Sequence, residues 1–140
     1  MKQRFVLDAW ALLALLQRQE PAASHVKELL EDADAGNIEL LISVINLGEA
    51  VYHIGKLKGE TEARDTLDHI RHLPLAVVSA TDHAVFAAAR FKMHHAISYA
   101  DAFAAAAATE LNAVLVTGDP ELEQLRSQVQ IEKLERGGPT

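Results

Sequence analysis

The sequence predicts an α/β protein with a three-layer α/β/α architecture, in which helices cover both faces of a central parallel sheet of four to five strands. Three observations lead to this prediction. Short runs of Leu, Ile and Val alternate with longer stretches that have helical periodicity. Capping residues, Gly and Pro stand singly at the boundaries between these stretches. Strands that are connected by helices pair in parallel, with the connecting helices on both sides of the sheet.

In the first half of the chain, two predicted strands are each followed by two helices. Pro21 is favourable in the first turn of the second helix, and Ser43 can cap the third. Gly36 and Gly59 stand where the second and third helices end. The predicted strands are residues 4–7 and 39–43, and the predicted helices are residues 9–17, 21–35, 44–58 and 60–72.

The second half of the chain begins in the same order and ends in two shorter elements. Thr81 and Ser98 can cap two helices, and the pair Asp119-Pro120 can begin a last short helix. The predicted strands are residues 75–78, 113–116 and, with a weaker pattern, 129–133, and the helices are residues 82–93 and 99–111. We expect one domain over residues 1–135 and a flexible tail over residues 136–140.

The composition excludes several classes of protein. The 140 residues include no cysteine, so disulfide scaffolds, thiol catalysis and thiolate metal sites are excluded. Hydrophobic residues make up 49% of the chain, which is enough for a sizeable core and too many for intrinsic disorder. No apolar stretch approaches the ~20 residues of a membrane-spanning helix. The apolar run at the N-terminus stops at Asp8, unlike that of a secretory leader, which predicts a cytoplasmic protein.

Four acidic residues stand where predicted strands end or where the following helices begin. Asp8 directly follows the first strand, and Asp119 comes shortly after the fourth. Glu49 lies less than two turns into the helix after the second strand, and Asp101 lies in the first turn of the helix that Ser98 begins. Ligand sites of parallel sheets lie at the carboxyl ends of the strands. The sequence therefore predicts that these four side chains face one edge of the sheet.

Four carboxylates that face one another either take up protons or bind a cation. A site made of carboxylates alone suits Mg²⁺ or Mn²⁺ rather than softer metals. Mg²⁺ in proteins is commonly held by a few carboxylates together with phosphate oxygens of a substrate. This combination points to phosphoryl transfer, in which the metal activates water and stabilises the developing charge.

Each of these acids also has a purely structural interpretation. Asp8 and Asp119 can be helix N-caps, and Asp101 can be a first-turn acid that the helix dipole stabilises. Glu49 can be an ordinary acid on a helix surface. The functional interpretation depends on all four occurring together, because four independent coincidences at one edge of the sheet are improbable.

Four segments of the chain resemble the PIN-domain family, and within it the VapC-type toxins of bacterial toxin–antitoxin pairs. The Ser-Tyr-Ala-Asp-Ala-Phe segment around Asp101 and the Thr-Gly-Asp-Pro segment around Asp119 are the most specific. The four segments follow the order of the family and are residues 6–16, 43–49, 97–106 and 115–121. One departure is Trp10, two residues after Asp8, where many relatives have Ser or Thr.

The resemblance implies a PIN-like fold and a single-strand endoribonuclease that depends on Mg²⁺ or Mn²⁺. The acidic metal site would consist of Asp8, Glu49, Asp101 and Asp119. Asp8 and Asp101 would bind the metal directly, and Asp119 directly or through water. Glu49 would be a ligand, or the group that orients or activates the attacking water. Thr117 and Asn46 would hold the carboxylates in place by hydrogen bonds.

Two basic groups can flank the acidic site and hold RNA phosphates. They are Lys56 with Lys58, and Arg90 with Lys92. The net charge of −7 does not decide the question, because one face of an acidic protein can still be basic. The alternative is that both groups form ordinary solvated helix faces. Phe91 can stack on a base or enter the core. Trp10 and Tyr99 have the same two interpretations, and packing is preferred for both over a platform for bases.

The resemblance also implies partners for the protein. They are an RNA substrate, a second copy of the chain in a homodimer, and an antitoxin that fills an apolar groove near Leu12, Leu16, Ile54 or Leu57. The alanine-rich run 102–108 allows close helix packing, either at a dimer interface or within one subunit.

Two other classes of function compete with the toxin ribonuclease. A PIN fold can be an RNA- or protein-binding module with little or no turnover, but the presence of all four acids argues against this. Other phosphoryl-transfer enzymes are also built on such sheets. A haloacid-dehalogenase-like phosphatase would need an aspartate at position 10, where this chain has Trp10. A receiver domain would need an acidic pair before the first aspartate and a lysine near the last strand, and neither is evident.

Overall fold

The fold was examined in a computed structural model that describes residues 2–137. Along these residues the elements are β1 Gln3–Leu7, α1 Ala9–Leu16, α2 Ala22–Asp34, β2 Ile38–Ser43, α3 Val44–Lys58, α4 Glu60–Ile70, β3 Ala76–Val78, α5 Asp82–His94, α6 Tyr99–Glu110, β4 Val114–Thr117, a 3₁₀ helix Pro120–Leu125, and β5 Ile131–Lys133. The five strands described form one sheet in the order β3-β2-β1-β4-β5. All neighbouring strands are parallel, which confirms the predicted fold class.

The helices begin where the sequence places their caps. The side chains of Asp8, Ser43, Thr81 and Ser98 each accept a hydrogen bond from a backbone N–H group in the first turn of the following helix. Most of the remaining boundaries differ from the prediction by one or two residues, as is usual at fraying ends. The predicted last helix is a 3₁₀ helix, and it begins with Asp119 as its cap and a proline in its first turn.

The carboxyl ends of the strands lie together at one edge of the sheet. Leu7, the last residue of β1, pairs with Ile42 on one side and Val116 on the other. At the same level, Ser43 pairs with Val78 in β3, and Thr117 pairs with Lys133 in β5. Because Asp8 follows Leu7, and Asp119 comes two residues after Thr117, both acids lie just beyond the strands at this edge of the sheet.

The two faces of the sheet have different cores. Leu7 and Val116 pack with helices α1 to α4 in a core where leucine is the commonest buried side chain. Their neighbours Val6 and Leu115 point to the opposite face, as expected for adjacent residues of a strand, and pack with α5 and α6. Alanine dominates this second core, and residues 102–108 of α6 are nearly all buried within the chain. Of the two interpretations of the alanine-rich run, a dimer interface or close packing within one subunit, the structure therefore supports packing within the subunit.

The chain after β5 returns toward α1. The guanidinium carbon of Arg136 lies 5.9 Å from the centroid of the Trp10 ring. A Cβ at Gly137 would lie 2.7 Å from the carbonyl oxygen of Glu20, so the backbone is close to the α1–α2 loop here. The rest of the predicted tail, residues 138–140, lies outside the described residues. Among the helices described, none has both the length and the apolar character needed to span a membrane.

Candidate active site

Asp8 is a buried carboxylate that two different elements hold in place. It follows β1 and is 1% exposed. Its Oδ1 accepts a hydrogen bond from the backbone N–H of Ala11 at 2.8 Å, so the residue is the N-cap of α1. Its Oδ2 accepts a hydrogen bond from the hydroxyl of Thr117, at the end of the adjacent strand β4. The orientation of the carboxylate is therefore set by both the helix and the sheet.

Thr117 links Asp8 to Asp119. The Thr117 hydroxyl donates to Asp8, and it accepts a hydrogen bond from the backbone N–H of Asp119 at 3.0 Å. Asp119 in turn caps the 3₁₀ helix, because its Oδ1 accepts from the backbone N–H of Glu121 at 3.0 Å. Thr117 thus positions the side chain of Asp8 directly and the backbone of Asp119.

Asp101 lies in the first turn of α6 and is 8% exposed. Its backbone N–H donates to the Ser98 hydroxyl at 3.1 Å. Asn46 of α3 is completely buried, and its amide nitrogen donates to the carbonyl oxygen of Ala100 at 3.0 Å. Its Oδ1 has no hydrogen-bond partner within residues 2–137. Asn46 therefore holds the backbone beside Asp101 and not a carboxylate, which corrects the expectation for this side chain.

The structure brings a further acid, Glu121, to the predicted group. Oxygen atoms of Asp101, Asp119 and Glu121 all lie within 4.8 Å of one another. Glu121 is exposed and stands in the first turn of the 3₁₀ helix. The sequence analysis did not single it out, although the Asp-Pro-Glu segment is a signal. An aspartate cap followed by proline places the next acid in the first turn, beside the cap.

The buried acids carry raised pKa values. Burial raises the pKa of Asp8 to about 7, although the hydrogen bonds from Thr117 and Ala11 oppose the shift. Burial also raises the pKa of Asp101, and the charge of Asp119 and a hydrogen bond between the two carboxyl groups add to the increase. In each case the crowding of like charges makes ionisation less favourable. The group therefore holds protons in the absence of another positive charge.

Glu49 belongs to the same electrostatic group from the side of α3. It is half-buried, and this burial raises its pKa. The charge of Asp119 raises the pKa further, whereas the nearby His53 lowers it. Asp101 is in turn influenced by the charge of Glu49. All four acids predicted from the sequence therefore lie at the carboxyl edge and interact with one another.

The sequence matches the family model of the PIN domain over residues 5–127. The chain belongs to the PIN domain family. A comparison with curated proteins gives no match. The match to the family model confirms the resemblance that four segments of the sequence showed to the family. Solved structures support the same fold.

Three solved structures illustrate the likeness. VapBC2 from Rickettsia felis, bound to a DNA fragment from its promoter, has a TM-score of 0.71 and 19% identity, and the match covers 95% of this chain and 100% of that chain. VapBC-1 from nontypeable Haemophilus influenzae has a TM-score of 0.70 and 20% identity, covering 94% and 98%. VapC20 from Mycobacterium tuberculosis, a sarcin-ricin loop cleaving toxin, has a TM-score of 0.68 and 17% identity, covering 86% and 93%. The TM-scores and coverage establish a shared fold with these structures.

In this PIN domain, Trp10 packs against the loop that carries Asp119. A Cβ at Gly118 would overlap the six-membered ring of Trp10, so only glycine fits between Thr117 and Asp119 without displacing the indole. Trp10 itself is partly buried against the leucine-rich core. One side of the indole is therefore a packing surface, and Gly118 leaves room for the tryptophan that replaces the Ser or Thr of many relatives.

The four predicted RNA-contact residues lie in two places. Lys56 and Lys58 are exposed in the last turn of α3, and Arg90 is exposed on α5. Lys92 differs, because its ammonium group donates to the carbonyl oxygen of Ile97 at 2.8 Å and so braces the loop before α6. Phe91 is partly buried against the alanine-rich core, which favours the core interpretation over base stacking.

An apolar cleft of about 600 Å³ lies between α1, α2 and the loop after α4. Of the residues near which an antitoxin groove is expected, Leu16 lines this cleft. Leu12 and Ile54 are buried in the core, and Leu57 is 62% exposed on α3 away from the cleft lining. The apolar side chains that line the cleft are Leu15, Leu16, Leu30, Leu73 and Pro74.

Proposed function

We propose that this PIN domain is an endoribonuclease that depends on Mg²⁺ or Mn²⁺ and acts as the toxin of a toxin–antitoxin pair. One observation carries the proposal, which is the convergence of carboxylates at the carboxyl edge of the sheet. Asp101, Asp119 and Glu121 offer oxygen atoms within 4.8 Å of one another, and Thr117 connects Asp8 to this group.

The acids fit a hard divalent cation because no salt bridge neutralises them within residues 2–137. Asp8, Asp101, Asp119 and Glu121 form none, and neither does Glu49, although His53 lies near enough to lower its pKa. Carboxylate oxygens are the ligands that Mg²⁺ and Mn²⁺ prefer. A cation bound here would offset the burial, and the repulsion between neighbouring carboxylates, that raise the pKa values of Asp8 and Asp101.

Some residues of the site would bind the cation, and others would orient the carboxylates that bind it. Asp8, Asp101 and Asp119 would hold the cation, and Glu121 would add a carboxylate at the exposed side of the group. Thr117 and the start of α1 keep Asp8 in one orientation, so the site is partly formed before the cation binds. When bound, the cation supplies positive charge to phosphate oxygens and lowers the pKa of water.

Glu49 is suited to accept the proton of an attacking water molecule. Its pKa is raised mainly by burial, and a carboxylate with a raised pKa is a better proton acceptor near neutral pH. The alternative role is that of a metal ligand. Glu49→Gln distinguishes them, since loss of the proton acceptor lowers kcat at saturating Mg²⁺, whereas loss of a ligand raises the Mg²⁺ concentration that is needed.

The toxin assignment is supported by the names of the structural relatives. VapBC2 and VapBC-1 are described together with their partner proteins, and the Klebsiella pneumoniae relative is a toxin–antitoxin complex. We propose that an antitoxin of this chain fills the apolar cleft beside Leu16. We also propose a homodimer as the state that binds the antitoxin.

RNA as the substrate class is supported by VapC20, a toxin that is described as cleaving the sarcin-ricin loop. Lys56, Lys58 and Arg90 are exposed and are proposed to hold phosphates of the RNA strand. Lys92 is proposed to act indirectly, by bracing the loop that leads to Asp101. We place this activity in the cytoplasm.

The test is cleavage of a mixed RNA pool by the purified chain with Mg²⁺ or Mn²⁺, with Asp101→Asn as the matched control. We expect cleavage that is abolished by a chelator and by the substitution. Mapping the ends of the products would then identify the target sequence. If folded protein that is free of antitoxin cleaves no RNA with either metal, the nuclease proposal is wrong, and the binding module becomes the better explanation.

A further inference from the structure

We propose that the cleft beside Trp10 binds one nucleobase of the RNA strand, next to the acidic group, with the indole as its stacking surface and Arg136 as its cover. The inference rests on the proposed ribonuclease function and names a base-binding subsite for it. The cleft measures about 560 Å³, and Trp10, Gln19, Glu135 and Arg136 are among the residues that line it.

The cleft shares its supporting segments with the acidic group. Trp10 stands two residues after Asp8, in the first turn of α1, and its ring lies against Gly118, which precedes Asp119. On the other side, the backbone N–H of Leu134 donates to the carbonyl oxygen of Thr117 at 2.8 Å. The chain therefore leaves β5 beside the site and reaches the indole two residues later. A nucleotide bound in the cleft would adjoin a phosphate held by the acids.

Trp10 and Arg136 together form a surface of the kind that takes up a flat ring. The indole is only partly buried, since one part of it packs on Gly118 while another borders the cleft. The Arg136 guanidinium carbon lies 5.9 Å from the ring centroid, on the cleft side. Bases of single-stranded RNA stack both on aromatic side chains and on guanidinium planes. The pair therefore offers two such surfaces at one opening.

The charges of the cleft favour a base over a phosphate group. Glu20 and Glu135 line it together with a single cation, Arg136, which leaves it with an excess of negative charge. Both carboxylate oxygens of Glu20 already accept hydrogen bonds, from the backbone N–H and the hydroxyl of Ser24. Glu135 remains as an exposed acceptor at the rim, with the amide of Gln19. Exocyclic amino groups of guanine, adenine and cytosine are donors that suit such acceptors.

Trp10 is the single tryptophan of the chain, so its fluorescence reports on this cleft alone. We would titrate Asp101→Asn protein, in which the RNA is expected to remain intact, with a short single-stranded RNA and with an abasic ribose–phosphate strand of equal length. Anisotropy of a labelled RNA would measure binding to the whole protein in parallel. We expect saturable quenching of Trp10 by the RNA and no quenching by the abasic strand.

Two substitutions test whether Arg136 contributes to RNA binding at the cleft. Arg136→Ala is expected to weaken RNA binding roughly 5-fold, the lower end of the range for bases that stack on aromatic side chains. Arg64→Ala removes the same charge from an exposed position on α4 and is expected to leave binding unchanged. Because Arg136 is exposed, its replacement leaves the core intact.

Three results would overturn the subsite. They are RNA binding without quenching of Trp10, equal quenching by the abasic strand, and equal affinity of the Arg136→Ala and Arg64→Ala variants. Failure of the nuclease proposal would look different. If the wild-type protein shows base-dependent quenching but cleaves no RNA with either metal, the subsite is supported and the nuclease proposal is wrong. If it cleaves RNA but its Trp10 is not quenched, the nuclease proposal is supported and the subsite is wrong.

Discussion

Asp8 and the group of Asp101, Asp119 and Glu121 lie at one edge of the sheet, but the chain builds them in different ways. Both oxygens of Asp8 accept hydrogen bonds from the protein, and the residue is 1% exposed. The three other acids lie within 4.8 Å of one another, and their exposure increases from Asp101 to Glu121. Asp8 is therefore part of the fold as well as of the site, as is Asp119 through its cap of the 3₁₀ helix, whereas Asp101 and Glu121 cap no described helix.

This difference shows that a structural and a functional interpretation of the same carboxylate are not exclusive. At Asp8 the capping hydrogen bond leaves the residue at the carboxyl edge and orients it there. At Asp101 the cap of the helix is Ser98, so the carboxylate is free of that task. Substitutions at the two positions should accordingly separate stability from activity.

The largest expected effect is a loss of cleavage of roughly 1,000-fold for Asp8→Ala and for Asp101→Ala, since each removes charge that holds the cation. At pH 5, where Asp8 holds its proton, only Asp8→Ala should lower the thermal stability of the metal-free protein, by about 1 kcal/mol for the lost cap. Asp101→Ala relieves repulsion and should keep or raise Tm. A cleavage assay and thermal unfolding in chelator measure both effects. A lower Tm for Asp101→Ala than for Asp8→Ala would contradict the comparison.

Thr117 connects the two regions. Loss of its hydroxyl is expected to lower activity or metal affinity roughly 10- to 100-fold. Thr117→Val keeps the shape but leaves the Asp8 oxygen and the Asp119 N–H without this partner. Thr117→Ser retains the hydroxyl and is the matched control, with activity close to that of the wild type. Steady-state cleavage over a range of Mg²⁺ concentrations would measure both variants. Equal losses for valine and serine would show that the packing of the methyl group matters as much as the hydrogen bonds of the hydroxyl.

The pH dependence of stability should follow Asp8. Its pKa is about 7 in the folded protein against an ordinary value of 3.8, so the folded state holds a proton that the unfolded state has lost. This contribution is fully present below the unfolded pKa and is lost as the pH rises through about 7. The titration of Asp8 should therefore cost the metal-free protein roughly 3 kcal/mol of stability between pH 5 and pH 8.

Thermal unfolding in chelator at a series of pH values tests this expectation. Mg²⁺ should stabilise the protein more at pH 8 than at pH 5, because the carboxylates are ionised there. Asp8→Asn, which cannot titrate at this position, is the control and should show a flatter profile. A wild-type profile that is as flat as that of the variant would show that Asp8 is ionised in the folded protein throughout this range.

The smallest effect is expected at Glu121, the most exposed member of the group. Glu121→Gln should lower activity less than 10-fold and raise the Mg²⁺ concentration needed for half-maximal rate, because a solvated carboxylate contributes less to binding. Glu123→Gln, which removes an acid paired with Arg126 on the same 3₁₀ helix, is the matched control. A loss at Glu121 as large as that at Asp101 would remove the distinction between the inner and outer members of the group.

Much of this architecture could be predicted from local patterns. The alternation of β-strands and helices, the four caps and the position of Asp8 at the end of β1 depend on residues that are near one another in the chain. Parallel pairing then brings Asp8 and Asp119 to one edge without further information. The sequence prediction failed where contacts join distant segments, as for Asn46, whose amide meets a carbonyl group of another helix.

The sequence by itself determined the order of the elements, the fold class and the convergence of four acids, because periodicity, capping and crossover rules act locally. Only the tertiary structure decided which side chains meet across the edge. It placed Glu121 with Asp101, laid Trp10 on Gly118, and brought Arg136 to the indole from the far end of the chain. These contacts depend on the strand order and on packing between segments far apart in sequence, and no local pattern encodes them.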